Sequence, residues 1–169
     1  MVKELIIENA EFFYRNFSGM PTALNPDGDY KVGVRIDGRR AKKLRSEGWN
    51  VKVAKNNKGK NLWMLPVRIE LHDDGALSKA KLTTIGRILI QGNSESYPIT
   101  EFNAGFLDYA EIKSAKVRIL GWEYKRRDGT KTLVAYLRDC DVIVSNKISA
   151  SRFYSLYNGR KARIAQLGK

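Results

Sequence analysis

The chain has 169 residues, of which 43% are hydrophobic, and this predicts one globular domain with its own core rather than a disordered chain. Its 31 Lys and Arg against 18 Asp and Glu give a net charge of +13, which indicates a polyanionic partner, either nucleic acid or an anionic membrane surface. The alternative is a basic surface that is solvated and has no such partner. One cysteine, Cys140, excludes an intrachain disulfide, and with a single histidine, His72, a Cys/His zinc cluster is excluded as well.

The sequence gives no sign of a membrane segment. No apolar run approaches the length of about 18 residues that a spanning helix needs. The N-terminus, MVKELIIENA, lacks the charged head, long apolar stretch and small-residue cleavage site of a signal peptide. We therefore expect no membrane association and an intracellular, cytoplasmic protein.

Apolar alternation and turn residues predict the elements of the first half of the chain. These are a strand over residues 5–13, a loop over 16–29, a strand over 30–36, a helix that Asp37 caps and that runs through Ser46, and a strand over 49–53. The strand over 30–36 has two unlike faces, because its apolar residues alternate with Lys31 and Arg35. Gly48 is expected to end the helix.

The second half is dominated by strand patterns. We predict a strand over 62–71, a strand over 82–90, a short helix within 98–109 that Thr100 caps, and two long strands over 112–124 and 132–144. Pro66 suggests an edge position or a bulge in its strand, and Asp128-Gly129 predicts a two-residue hairpin turn between the long strands. Together these elements predict a mainly β fold, an antiparallel barrel or sandwich with one or two short helices and a long hairpin towards the C-terminus.

The composition changes near residue 146. From Lys147 to Lys169 the sequence has six cations and no Asp or Glu. We therefore divide the chain into a folded domain over residues 1–146 and a basic C-terminal tail over 147–169.

No catalytic motif is present. The sequence lacks a Gly-rich phosphate loop, a nucleophile elbow and a metal-binding helix motif. Asp139 and Asp141 could serve a metal-dependent nuclease, but pairing through the predicted turn places them opposite Arg118 and Lys116, as a cross-strand charge ladder. A second pair, Asp73-Asp74 beside His72, lies on a predicted turn. We expect a protein that is not an enzyme and has no metal and no cofactor.

The positive charge is concentrated between residues 31 and 68. This block has twelve cations and two acids. A solvated helix face and a loop explain many of them, but not those on predicted strands, opposite the apolar faces. The strand cations are Lys31, Arg35, Lys52 and Arg68.

Aromatic residues next to cations add a second feature. Trp122 and Tyr124 precede Lys125 and Arg126 at the end of the long hairpin, which is either a charged arm that contacts a ligand or an edge hairpin kept soluble by charge. Trp49 follows a glycine at a strand start, where a buried role and a stacking role are both open. Rings stack on any unpaired base and cations follow any phosphate chain, so the combination indicates a sequence-tolerant binder of single strands.

Several short motifs point to a known family. RNFSG at 15–19, NPDGDY at 25–30, EGWNVK at 47–52 and LDYAEI at 107–112 occur in an order that resembles phage-type OB-fold single-stranded DNA-binding, or helix-destabilising, proteins. The resemblance implies an OB barrel that coats single-stranded DNA in phage replication or recombination, inside the bacterial host. It also implies DNA contacts at Arg15, Phe17, Trp49, Lys52, Trp122 and Tyr124.

The predicted nucleic-acid-binding residues combine the two arguments. They are Arg15, Phe17, Lys31, Arg35, Trp49, Lys52, Arg68, Trp122, Tyr124, Lys125 and Arg126. Many replication binders of this type carry an acidic tail that recruits partner proteins, whereas this tail is basic, which favours a further DNA-contacting arm or a segment that docks on an acidic neighbour. Replication or recombination proteins remain expected partners, and RNA is an open second ligand. The alternative function is a structural or adaptor protein of a phage particle or replication complex that docks through its tail.

Overall fold

The computed structural model describes residues 2–21, 23, 26–55, 58–69, 85–100 and 103–147. Its elements in chain order are β1 (Val2–Ile7), β2 (Phe12–Asn16), β3 (Lys31–Ile36), α1 (Gly38–Ser46), β4 (Lys52–Lys55), β5 (Asn61–Arg68), β6 (Gly86–Ile90), β7 (Ser96–Pro98), a 3₁₀ turn (Ala104–Asp108), β8 (Ile112–Lys125) and β9 (Lys131–Val144). The predicted tail beyond Lys147, His72 and the Asp73-Asp74 turn lie outside the described residues.

The strands form one nine-stranded mixed sheet. Its main path runs β1-β8-β9-β5-β3-β2, with β4 joined to β5 and β6 joined to β7 and β9. Most neighbours are antiparallel, but β5 and β6 both run parallel to β9. No ladder joins β1 to β2 in the described part of the chain, so the sheet is not closed. The mainly β prediction is confirmed, whereas the prediction of an antiparallel closed barrel is wrong.

The first predicted strand is broken into two. Asn9 has a φ of 51° between β1 and β2, a left-handed conformation that interrupts a ladder. A second irregularity follows, because the pairing of β2 with β3 shifts between Phe13 and Asn16, and Tyr14 within this bulge has a φ of 50°. Left-handed backbone cannot be read from an apolar alternation, which explains why a single strand over 5–13 was predicted.

Helix α1 begins and ends as its sequence predicts. The Asp37 side chain accepts a hydrogen bond from the backbone N–H of Arg40 at 2.9 Å, which satisfies one of the amides left unpaired at a helix start. Ala41 and Leu44 are buried, and Gly48, with a φ of 97°, turns the chain away at the far end. The next strand begins at Lys52, three residues later than expected, since Trp49 makes only an isolated bridge to Leu133.

Strand β5 lies in the interior of the sheet and still accommodates Pro66. Ile69 N donates to Tyr30 O at 2.9 Å, so in the β3–β5 ladder the alternate pair Gly33–Pro66 is not hydrogen bonded, and the Pro66 nitrogen points away from β3. On that other side of β5, the pairing with β4 ends at Met64 and the pairing with β9 begins at Val67. Proline therefore sits where its missing N–H breaks no ladder: β5 is not an edge strand, but its side that faces away from β3 has no ladder partner at Pro66.

The long hairpin β8–β9 has the register expected at its base and a different turn. Arg118 faces Asp139 and Lys116 faces Asp141, as predicted. The turn has three residues, with Arg126 and Thr130 hydrogen bonded and Gly129 in the left-handed region at a φ of 87°. A bulge at Arg138 then shifts the register by one residue. The extra turn residue and the bulge shift the register in opposite directions, so beyond the bulge the pairing is the one that a two-residue turn predicts.

The segment before the hairpin contains a short strand and a 3₁₀ turn instead of a capped helix. Strand β7 pairs with β6, and the turn over Ala104–Asp108 has no side-chain cap. Asn103 occupies the bend, since its Oδ1 accepts from Thr100 N and its Nδ2 donates to Pro98 O. The N-cap position of the 3₁₀ turn is Asn103 and not Thr100, so the prediction that Thr100 caps a helix is wrong.

One hydrophobic core fills the inner face of the sheet. It contains alternate residues of most strands, among them Val32, Val34, Leu65, Val67 and Ile119, which are almost fully buried. Because successive side chains of a strand point to opposite faces, the residues between these core positions form a continuous outer face.

Candidate nucleic-acid interface

Two of the predicted strand cations lie directly opposite each other. Lys31 on β3 pairs with Arg68 on β5, and both alternate with buried valines, so both side chains lie on the outer face. The pair is of the type without hydrogen bonds, because the neighbouring pair Tyr30–Ile69 is hydrogen bonded, and this type brings Cα atoms to about 4.5 Å. Like charges in this arrangement destabilise a sheet unless an anion lies over them.

The other two strand cations belong to the same outer face. Met64 on β5 pairs with Arg35 on one side and with Lys52 of β4 on the other. We name the surface that carries Lys31, Arg35, Lys52 and Arg68 the cationic face. The structure thus brings together four side chains that the sequence spreads over 38 residues.

Few acids neutralise the cationic face. Arg35 bonds Glu11 at 3.0 Å, and both side chains are about half exposed. Among the described residues, Lys31, Lys52 and Arg68 have no carboxylate within ion-pair distance. An exposed ion pair contributes little stability, so a phosphate can replace Glu11 beside Arg35 at small cost.

The cationic face also carries an apolar and an aromatic side chain that unpaired bases can contact. The Met64 side chain covers Gly33, where any Cβ would collide with the Met64 sulfur. Tyr136 of β9 pairs with Arg68 and is half buried. The register with Arg68 puts this ring beside a cation.

The end of the hairpin forms a separate group, which we name the arm, residues 123–132. Beyond the Val2–Trp122 pair, the arm has no third strand beside it in the described ladders. Trp122 and Tyr124 are 53% and 57% exposed, and Lys125 and Arg126 are also exposed. Lys125 lies opposite Lys131, a second like-charged cross-strand pair, although Lys131 also bonds Glu123 at 2.9 Å.

A cationic cleft of about 370 Å³ lies between the arm and the end of α1. Its walls carry Arg45, Arg126 and Lys131, with no Asp or Glu among the lining residues. Arg45 is held in place, since its Nε donates to Val51 O at 3.1 Å and its guanidinium lies 5.0 Å from the Trp63 ring centre. Arg45 and Lys131 were missed by sequence reasoning, because a helix-end arginine and a hairpin lysine are common without a ligand.

Two predicted stacking rings belong to the core. Phe17 is 1% exposed and packs edge-on against Phe12, with ring centres 5.9 Å apart. Trp49 is 4% exposed and lies against Gly121, where a Cβ would be 2.6 Å from its Cη2. A ring buried in this way is not available to stack on a base, so Phe17 and Trp49 lie outside the surface that we propose to contact DNA. Trp49 instead seats the hairpin on the end of α1, where Leu133 N donates to Gly48 O at 2.7 Å.

Arg15 has a structural role. Its Nη1 donates to Ala110 O at 2.6 Å and to Leu107 O at 3.2 Å, which ties β2 to the chain after the 3₁₀ turn. Asp108 completes the connection by accepting from Phe17 N and from the Ser18 hydroxyl, each at 2.6 Å. These two carbonyl oxygens hold the Arg15 guanidinium in place, so its position does not depend on a phosphate contact.

The carboxylates of the hairpin are engaged in ion pairs. Asp139 bonds Arg118 and raises its pKa, while Asp141 bonds Arg87 at 3.3 Å. A larger cleft of about 520 Å³ between β1, β2 and α1 mixes Glu8, Glu11 and Asp37 with arginines, so its charge does not favour an anion. Within the described ranges, no three His, Cys, Asp or Glu side chains group as metal ligands would.

Comparison with known proteins agrees with this surface. No curated protein and no solved structure matches the chain. In the described part of the chain, no helix has both the length and the apolar character to span a bilayer. A family model described as "Putative phage ssDNA-binding domain" matches residues 1–148, which include every residue of the cationic face and the arm. The chain therefore belongs to this phage single-stranded DNA-binding family.

Proposed function

We propose that this protein binds single-stranded DNA with little sequence preference, without catalysis, in phage DNA replication or recombination in the host cytoplasm. The observation that carries the proposal is the Lys31–Arg68 pair, two cations directly opposite each other without an acidic partner among the described residues. Such a pair costs stability in the free protein, and a polyanion reverses that cost.

The proposed groove runs along the cationic face towards the arm. Phosphates lie over Lys31, Arg35, Lys52 and Arg68, and unpaired bases contact Tyr136, Trp122 and Tyr124. The cleft lined by Arg45, Arg126 and Lys131 lies next to Asn50 and Val51, which immediately precede Lys52, and so extends the basic surface to the arm. The groove is OB-like in this proposal, although the sheet is open.

Single strands are favoured over duplex in this arrangement. A ring gains stacking only with a base that is not already stacked in a helix, and each such contact is worth about 1–3 kcal/mol. Duplex DNA can contact the cations alone. RNA offers the same bases and phosphates, and nothing in the proposed contacts reads the 2′-hydroxyl.

Anisotropy titration of labelled oligo-dT, a duplex of equal length and oligo-rU, at two salt concentrations, tests the proposal. We expect oligo-dT to bind well above the duplex and to weaken as salt rises. Absence of binding at low salt and micromolar protein would overturn the proposal and favour the adaptor role. A parallel incubation with magnesium is expected to leave the oligonucleotide intact on a gel, whereas cleavage would indicate a nuclease.

A further inference from the structure

Two tyrosines outside the groove just proposed are unusually exposed. Tyr14 on β2 is 68% exposed, and Tyr109, immediately after the 3₁₀ turn, is 92% exposed. Neither ring has an aromatic or cation–π partner in the described residues. A tyrosine ring exposed to water contributes no free energy of burial to folding. Rings with an apolar face and a polar tip are typical of binding surfaces.

The backbone at Tyr14 is strained. Its φ of 50° belongs to the left-handed region, which glycine adopts freely and a bulky residue adopts at a cost. Among the described residues, the only other non-glycine positive φ is that of Asn9, a residue type that tolerates this conformation. Strain of this kind persists where the surrounding structure enforces it, and it clusters at functional sites.

Arg15 enforces this arrangement at both tyrosines. It follows Tyr14 directly, and its guanidinium donates to the carbonyl oxygens of Leu107 and Ala110, which flank Tyr109 on either side. One side chain therefore fixes the backbone at both rings. Asp108 adds bonds from Phe17 and Ser18 across the same seam between β2 and the turn.

Tyr14 borders the cationic face, and Arg15 ties the chain around Tyr109 to the same strand, β2. Tyr14 lies in the bulge of β2 between the Phe13–Gly33 and Asn16–Lys31 pairs, next to the strand that carries Lys31. A strand of DNA held by Lys31 and Arg68 therefore passes close to β2. A ring beside cations that can hold phosphates favours unpaired bases of the same polynucleotide as the ligand.

We infer that Tyr14 and Tyr109 form a second stacking platform for unpaired bases, held open by the strained backbone and by Arg15. This inference rests on the proposed function, since it assumes that phosphates occupy the cationic face. Its distinctive consequence is that Tyr14→Gly should weaken binding without lowering the Tm, because glycine removes the stacking ring and also relieves the left-handed strain.

The test uses the full chain and two oligonucleotides of equal length, oligo-dT and an abasic sugar–phosphate strand. Tyr14→Gly and Tyr109→Ala are each expected to weaken oligo-dT binding at least about fivefold and to leave the abasic strand unaffected. Tyr14→Gly is expected to keep or raise the Tm, and Tyr14→Phe is expected to bind like the unmodified protein. Asn9→Gly is the matched backbone control, with affinity unchanged.

The outcomes separate the inference from the function on which it rests. If the unmodified protein binds oligo-dT and the tyrosine variants bind equally well, the platform is wrong and the proposed function stands. Equal losses on oligo-dT and on the abasic strand also overturn the platform, because the rings would then act through phosphate contacts. If the unmodified protein binds neither strand, both proposals fail together.

Discussion

The outer surface of the sheet has two regions of opposite character. On β1 and at the base of the β8–β9 hairpin, cations are paired with acids, with Arg138 bonded to Glu4, Lys116 to Glu8 and Arg118 to Asp139. On β3, β4 and β5, Lys31, Lys52 and Arg68 have no such partner in the described residues. Both regions are basic by sequence, so positive charge alone does not indicate a ligand. Positive charge without an acidic partner is the feature that indicates a ligand.

The comparison explains why the paired region is a structural surface. Cross-strand ion pairs favour one register, and the Arg118–Asp139 ion pair depends on the register that the bulge at Arg138 sets. The unpaired region has like charges opposite each other instead, which oppose its own pairing. A surface that reduces stability in this way indicates a role outside folding.

The largest expected effect concerns the junction between the two regions. Trp49→Ala should destabilise the protein by about 3–5 kcal/mol, because it removes a buried ring that seats the hairpin on α1. Trp122→Ala is the matched variant, since Trp122 is half exposed and should leave the Tm nearly unchanged. Thermal unfolding measures both, and equal Tm losses would contradict the assignment of one ring to the core and the other to the surface.

Charge removal in the unpaired region should be the next largest effect. The double variant Lys31→Gln and Arg68→Gln is expected to weaken oligo-dT binding by roughly tenfold or more at moderate salt, from two lost phosphate contacts. Lys113→Gln with Lys116→Gln removes the same charge from paired lysines and should change affinity less than about twofold. Anisotropy titration at one salt concentration gives both values, and equal losses would mean that net charge alone governs binding.

A smaller effect is expected from the ion pairs themselves. Arg118→Gln should lower the Tm only slightly, because the pair with Asp139 is partly exposed to solvent, and should leave oligo-dT affinity unchanged. The like-charged pair predicts the opposite sign, so Lys31→Gln should keep or raise the Tm. Differential scanning fluorimetry compares the two, and a large Tm loss in Lys31→Gln would remove the argument that this pair costs stability.

The last prediction concerns the core beneath the paired region. Burial, with Asp139 and Asp141 on either side, raises the pKa of the Cys140 thiol to about 12. At pH 8 the native thiol should resist a disulfide reagent that labels it quickly in denaturant. Because the folded pKa lies above the unfolded one of about 8.5, this group stabilises the fold below pH 8.5 and loses that contribution as pH rises towards 12. Rapid labelling of the native protein would show that the paired region opens.

The sequence predicts the individual strands and the helix better than the way in which the strands assemble into a sheet. The Asp37 cap, the Gly48 stop and the long hairpin depend on local chemistry and are confirmed. The open mixed sheet depends on which strands meet over long distances, and no local pattern encodes the parallel pairing of β5 and β6 with β9. The hairpin register below the bulge was predicted correctly although the turn was not, because the bulge at Arg138 offsets the extra turn residue.

For the site, charge on a strand is more informative than a ring in a motif. Lys31, Arg35, Lys52 and Arg68 share one face because the period of two fixes where strand side chains point. Phe17 and Trp49 belong to the motifs RNFSG and EGWNVK, and the structure buries both. Whether an aromatic packs or stacks depends on what covers it, such as Gly121 over Trp49, which lies 72 residues away in the chain.

The salt dependence of oligo-dT binding tests the central claim most directly. Each phosphate neutralised on a single strand contributes about −0.7 to the slope of log K against log salt concentration. The double variant of Lys31 and Arg68 should therefore have a slope shallower by about 1.4, while the Lys113 and Lys116 control keeps the slope of the unmodified protein. Identical slopes in all three proteins would contradict the claim that the unpaired cations of β3 and β5 contact the DNA backbone.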